Sequence, residues 1–299
     1  KTAERRLVSP DETERDYVAA VRTLRDALSS ATRNRDALAC STSAELDALV
    51  GVLNGRYVSP SSGGDAITNP DAVPTGRNLT SIDAEKTPSA EAWRVGKKLA
   101  EETIRAKVSE TGRFPKKVAL SMWGGEFINT QGVDLAIVFH LLGVEPVRNA
   151  RGEVHDVRLI PAAELKRPRV DVVVQTSGQL RDVAASRLAL IDRAVKLAAS
   201  ADDPADFENH VREGAVAAES LMKERGLSPA EAKTFATARV FGGVNGNYGT
   251  GIMGMVEAGD RWENADEVAD QYLKNMGAVY TGERWAAYNP GVFEGALQN

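Results

Sequence analysis

The chain has a single cysteine, Cys40, in 299 residues. One thiol excludes an internal disulfide framework and any all-cysteine metal centre, and it fits a reducing compartment without demanding one. Long apolar runs are missing too. The longest, Leu135 to Val144, is interrupted by His140 and is far too short to cross a bilayer, so no membrane span is expected. No G-x-x-x-x-G-K-[ST] stretch occurs, so this chain is expected to hold no nucleotide and not to hydrolyse ATP by itself. Histidine is scarce. His140, His155 and His210 are scattered and no H-E-x-x-H pattern exists, which argues against a metal site built from protein ligands alone. Positive charge is not in excess: the formal net charge is −5, whereas non-specific nucleic-acid binding needs a basic face. A signal-peptide pattern is absent, but the first residue is Lys1 rather than methionine. The chain therefore reads as a piece of something longer, and a lost targeting segment is not excluded.

What is present suits a folded enzyme domain. Hydrophobic content is 42%, enough to bury a substantial core, and the length corresponds to about two domains of ~150 residues. The most informative stretch is Val170 to Asp182. A run of β-branched residues leads into the turn Gln175-Thr176-Ser177-Gly178-Gln179-Leu180-Arg181-Asp182, and Ala184, Leu188, Ile191, Val195 and Ala198 follow at helical spacing. Buried strand, polar turn and amphipathic helix make half of a parallel α/β unit, whose ligands bind beyond the carboxyl ends of the strands.

Three regions are expected. Residues 1–83 read as a helical pair followed by a long Gly/Pro loop: Ser9-Pro10-Asp11-Glu12 and Thr42 to Glu45 are capping boxes, and Asn54 to Asp83 has no period. That loop suits either a functional segment or a linker. Residues 84–200 alternate helix and strand and predict a Rossmann-like parallel sheet flanked by helices. Residues 201–299 read as mainly helical around a glycine-dense loop, with an irregular tail from Thr281.

Each candidate motif has a plain structural alternative. Gly249 to Gly254 matches G-x-G-x-x-G, but Val244 to Tyr248 before it is no buried strand, so a close-packed loop is favoured over dinucleotide binding. Trp123-Gly124-Gly125-Glu126 closes a strand; Glu126 is either a proton-transfer group or the partner of an arginine. At the turn after Val174, Ser177 and Arg181 either meet an anion at a helix start, or Asp182 caps that helix and pairs with Arg181. His140 reads as a satisfied core histidine, His155 as solvated in a polar turn, and His210 shares a helix face with Glu213.

Several ordered stretches carry a resemblance to a known family. They are Gly55-Arg56-Tyr57-Val58, Gly63-Gly64-Asp65, Asn69 to Asn78, Trp123-Gly124-Gly125-Glu126, Leu142 to Val147, Arg167 to Val173, Ser177 to Asp182 and Asn209-His210-Val211-Arg212. In this order they resemble the large subunit of cobaltochelatase and the porphyrin-binding H subunit of magnesium chelatase, over nearly the whole chain. The resemblance implies part of a multidomain subunit that binds a tetrapyrrole for insertion of a divalent metal, cobalt or magnesium, driven by separate AAA+ ATPase subunits, in the cytoplasm. One branch of the family, associated with haem uptake, implies instead removal of iron from haem without ATPase partners and allows a periplasmic location. A non-catalytic tetrapyrrole-binding fragment is the third alternative. The family's Gly-Thr-His-Gly stretch has no counterpart here, and Glu213 and Gly214 stand where the family often has lysine and histidine. An apolar macrocycle carrying carboxylates needs an apolar slot with cationic or amide anchors. On that basis Arg181 and Arg212 are expected to contact its carboxylates, Gln175 and Ser177 to line the slot, and Trp123 and Tyr248 to face the ring. Glu126 is the expected proton carrier, with His210 as a compensating histidine.

Overall fold

The computed structural model describes residues 12–67, 69–79, 82–243, 248–259, 262–289 and 291–298. The chain divides into two compact units, 1–80 and 81–299.

In the first unit, helix α1 (Glu12–Leu53) runs without a break, where the sequence predicts two helices. The second capping box does not start a helix. No glycine or proline lies between Glu12 and Gly51 to interrupt the ladder. The Ser41 hydroxyl donates back to the Ala37 carbonyl at 3.0 Å and accepts the Thr75 amide at 3.0 Å, so a residue of capping type serves inside the helix instead. The first box, Ser9 to Asp11, lies outside the described residues. The following loop contains two-residue strands β1 (Ser61–Ser62) and β2 (Asn78–Leu79), paired in parallel. Asn78 Nδ2 ties them by donating to the Ser62 and Ala72 carbonyls at 2.7 and 2.8 Å. At Gly76, φ is +107° and a Cβ would lie 2.7 Å from the Glu45 nitrogen, so both conformation and contact require glycine.

The second unit begins with α2 (Ala90–Thr111), capped by Ser89 and stopped by left-handed Gly112. Then come β3 (Lys117–Met122), α3 (Gly124–Asn129), α4 (Val133–Leu142), β4 (Val144–Arg148), β5 (Val154–Leu159) and α5 (Ala162–Leu165). The stretch from Val170 and the helical pattern after it form β6 (Asp171–Thr176), α6 (Gly178–Val183) and α7 (Ala185–Ala199). The chain continues through α8 (His210–Glu224), α9 (Pro229–Phe235), β7 (Val240–Gly242), α10 (Met253–Glu257), α11 (Ala265–Met276), β8 (Ala278–Tyr280), β9 (Trp285–Tyr288) and α12 (Val292–Gln298).

The sheet order is β3-β6-β7-β8-β9. Its first three strands are parallel, and β8 and β9 are antiparallel additions. The α/β class and the Rossmann-like core therefore hold, but the sheet is mixed. β4 and β5 do not enter it; they form their own antiparallel hairpin. Pro146 in β4 lacks a ladder donor, and β5 is buried only at Val154 and Val157, so neither suits the interior of a parallel sheet. Residues 201–299, expected to be mainly helical, supply three of the five strands and belong to the same compact unit.

β6 is the centre of the second unit. Val172 and Val174 face a core with Leu135 and Phe139 of α4 and Leu188, Ile191 and Val195 of α7. Val173 faces the opposite core, with Phe241 and Phe293. A strand covered on both faces explains the unbroken β-branched run. His140, at the end of α4, meets Glu101 of α2 at 2.6 Å, and Glu101 also accepts from Arg167 Nε at 3.1 Å. Burial, and then the Arg167 charge, hold the imidazole below its ordinary pKa. His155 is exposed, on β5 rather than in a turn. Among the described residues, no helix is long and apolar enough to cross a membrane.

Candidate functional site

The carboxyl ends of β3, β6 and β7 lie side by side, with Met122 opposite Thr176 and Thr176 opposite Gly242. The chain leaves β3 at Trp123 and β6 at Ser177, and the two turns are locked together. The Ser177 amide donates to the Met122 carbonyl at 3.1 Å, and the Gly124 amide donates to Ser177 Oγ at 3.2 Å. The same hydroxyl caps α6 by accepting the Leu180 amide at 3.2 Å. Ser177, not Asp182, is thus the helix cap, and its oxygen is used inside the fold. A Cβ on Gly124 would stand 2.7 Å from Gln179 Oε1, so glycine there allows the turns to meet.

Around this junction stand the groups with chemical potential. The Trp123 ring is 44% exposed. Glu126, on α3, is exposed, and its carboxylate has no ion-pair partner among the described residues. Asp134, in the first turn of α4, has its carboxyl pushed up to about 6, chiefly by burial and then by the charge of Glu126. Burial and a neighbouring carboxylate both favour the neutral form of Asp134. Gln175, half-buried at the end of β6, leaves its amide Nε2 without a hydrogen-bond partner and interacts with the Tyr272 hydroxyl.

Arg181 occupies a different role from the expected anchor. Its side chain is buried, with Nε donating to Asp182 at 2.9 Å and Nη1 to the Tyr280 hydroxyl at 3.3 Å and the Gly243 carbonyl at 3.4 Å. The Asp182 hydrogen bond holds the guanidinium above its ordinary pKa. Asp182 in turn accepts from the Tyr248 hydroxyl at 2.8 Å. Arg181 is therefore a strut that fastens the turn after β6 to the ends of β7 and β8 and carries Asp182 and Tyr248 on its outer side.

His210 and Arg212 are not part of this edge. They begin α8 at the amino end of β6, where His210 lines a cavity with Lys117, Asp171 and Gly214. The length of β6 separates the two ends by roughly 17 Å at a rise of about 3.3 Å per residue. His210 Nδ1 meets Glu213 at 2.9 Å. Arg212 donates to the Ala199 and Ala201 carbonyls, closing the end of α7. Both were expected at the macrocycle, and the parallel topology that puts Ser177 at one end of β6 puts Asn209 to Arg212 at the other.

Sequence reasoning missed Asp134, whose one signal was a charge inside an otherwise apolar helix. It also missed Tyr272 and Tyr280, which approach only through the antiparallel return of the chain. The G-x-G-x-x-G stretch sits in a turn running into the five-residue α10, and Val244 to Asn247 before it lies outside the described residues. No group of three or more histidine, cysteine, aspartate or glutamate side chains among the described residues could hold a metal ion.

The model of the CobN/Magnesium Chelatase family matches residues 2–299. The chain belongs to that family. It is 38% identical over 237 residues to the magnesium-chelatase subunit ChlH of Oryza sativa subsp. indica, covering 79% of this chain and 16% of that protein. It is 36% identical over 244 residues to the aerobic cobaltochelatase subunit CobN of Pseudomonas aeruginosa, covering 81% of this chain and 19% of that one. In structure it is similar to the catalytic subunit of cobaltochelatase from Mycobacterium tuberculosis, with a TM-score of 0.73 and 32% identity, over 89% of this chain and 22% of the other. As a CobN/magnesium chelatase family member, the chain thus spans about a fifth of the length of these relatives.

Proposed function

We propose that the chain is the part of a tetrapyrrole metal chelatase large subunit that holds the macrocycle for insertion of a divalent metal, cobalt or magnesium as substrate, with separate ATPase subunits supplying the energy. The observation that carries this reading is the carboxyl-edge cluster of the family chain: an exposed Trp123 at the turn that also carries Glu126, and the Asp134 carboxyl, pushed up to about 6 by burial and by the charge of Glu126.

Metal insertion exchanges two pyrrolic protons for one divalent cation, so the site must accept protons next to a planar apolar ring. The Trp123 face offers apolar surface to the ring. Glu126, solvent-facing and unpaired, takes the two pyrrolic protons in turn, releasing each to water, and Asp134 tunes its charge. Gln175 and Tyr248 line the rim, where the unused Gln175 amide donor suits a carboxylate of the macrocycle and the exposed Tyr248 ring offers it surface. Arg181 positions the rim through Asp182. In a complete large subunit supplied with ATPase partners, Glu126→Gln is expected to lower metal insertion by about 100-fold or more, followed by the absorbance change of the tetrapyrrole. Its tetrapyrrole affinity should stay near that of the parent. Normal insertion by the variant would remove Glu126 from the proton path.

A further inference from the structure

β3 is an edge strand whose outer side is open. The register decides which of its backbone groups face outward. The amides of Asp171 and Ser177 donate to the carbonyls of Lys116 and Met122, so the even-numbered residues of β3 form the ladder with β6. The N–H and C=O groups of Lys117, Ala119 and Ser121 then point away from β6. None of these amides has a hydrogen-bond acceptor among the described residues.

Natural edges are blunted by charges, prolines or bulges. β3 has none of these in its middle: its sequence is KVALSM, its pairing with β6 has no register shift, and the side chains of Ala119 and Ser121 are small and exposed. The opposite edge is built differently. There β9 is joined through a register shift at Val279/Tyr280 and carries the bulky Trp285 and Tyr288. Beside the open edge runs a groove of about 690 Å³, walled by Thr103, Ala106 and Lys107 of α2 and floored by Pro115, Val118 and Ala119. A groove that ends on a row of free amides and carbonyls is shaped for another strand.

We infer that a further strand pairs with β3 along Lys117 to Ser121, and that it comes from the part of the large subunit outside these 299 residues. The source follows from size. The solved cobaltochelatase subunit that this chain resembles matches it over only 22% of its own length, so a family subunit has ample chain to supply the strand. Pairing there extends the parallel core of the second unit into the rest of the subunit.

Residue-resolved hydrogen exchange tests this, independently of any metal insertion. In the 299-residue chain the amides of Lys117, Ala119 and Ser121 exchange fast, while those of Val118 and Leu120 are protected by β6. In a complete large subunit the three outward amides are expected to slow by at least about 100-fold. Ala119→Pro removes an outward donor and spares the β6 ladder. In the complete subunit it should restore fast exchange at Lys117 and Ser121, with Val118 and Leu120 unchanged as the control for folding. Equal, fast exchange of the outward amides in both proteins would overturn the inference. So would protection that appears in the 299-residue chain alone and rises with its concentration, which would make a second copy the partner.

Discussion

Asp134 and Glu126 have the same functional group in different surroundings. Glu126 is exposed, whereas Asp134 is largely enclosed and is pushed up to about 6 by burial and by its neighbour. A carboxyl group whose folded pKa is raised favours the fold when protonated. Its contribution is complete below about pH 4 and is lost as pH rises towards 6. Asp134→Asn should therefore abolish that fall and leave the variant more stable than the parent by about 1–2 kcal/mol at pH 8, read from urea midpoints at pH 4.5 and 8. Two glycines show how contact decides tolerance. At Gly214 a Cβ would lie 2.4 Å from Asp171 Oδ2, and that carboxylate is fixed by Arg239 Nε at 2.9 Å and Lys117 Nζ at 3.5 Å. Gly214→Ala is expected to cost about 1–3 kcal/mol. At Gly124 the Cβ would meet the Gln179 side chain from Cγ to Oε1, which is exposed and free to turn away. Gly124→Ala should cost under about 1 kcal/mol in the same denaturation assay.

At the scale of elements, Ser177 couples a strand end to a helix start. It caps α6 and accepts from Gly124, so one hydroxyl joins the turns after β3 and β6. Ser177→Ala removes the cap and leaves the buried Gly124 amide without its acceptor. Destabilisation by about 1–3 kcal/mol is expected, with the largest loss of amide protection at Gly124 and Leu180 in hydrogen exchange. Loss spread evenly over the unit would contradict this coupling. α1 teaches the converse. A capping signal at Thr42 to Glu45 is overruled because continuing the helix keeps every backbone bond, and the loop at Thr75 uses the Ser41 hydroxyl instead.

At the scale of the molecule, the parallel strands separate two groups of polar residues. The carboxyl edge collects Trp123, Glu126, Asp134, Gln175 and Tyr248; the amino edge buries Asp171 against Arg239 and Lys117, with His210 beside them and Arg212 on the end of α7. This arrangement makes a sharp prediction for the complete subunit. Arg212→Ala should leave tetrapyrrole affinity within about twofold of the parent, because the guanidinium closes α7 roughly 17 Å from the edge. An absorbance titration showing a loss of tenfold or more would return Arg212 to the binding site.

Local pattern was enough for what depends on neighbours along the chain. The β-branched run of β6 and the apolar period of α7 follow from residue type and spacing. The α/β class was legible for the same reason, and the ordered short motifs were enough to place the family. Contacts between distant segments were not legible. β7 and β8 are three residues each, too short to show a period; β7 becomes a strand because β6 offers an edge, and β8 because β7 then offers the next. In sequence Arg181 reads either as an anion contact or as the partner of Asp182; folding keeps the Asp182 pair and also brings Gly243 and Tyr280 to it, which buries it. His210 and Arg212 look like site residues until the direction of β6 assigns them to its other end. Residue chemistry and periodicity act over a few positions, whereas the environment of a charge is made by whatever the remaining chain packs around it.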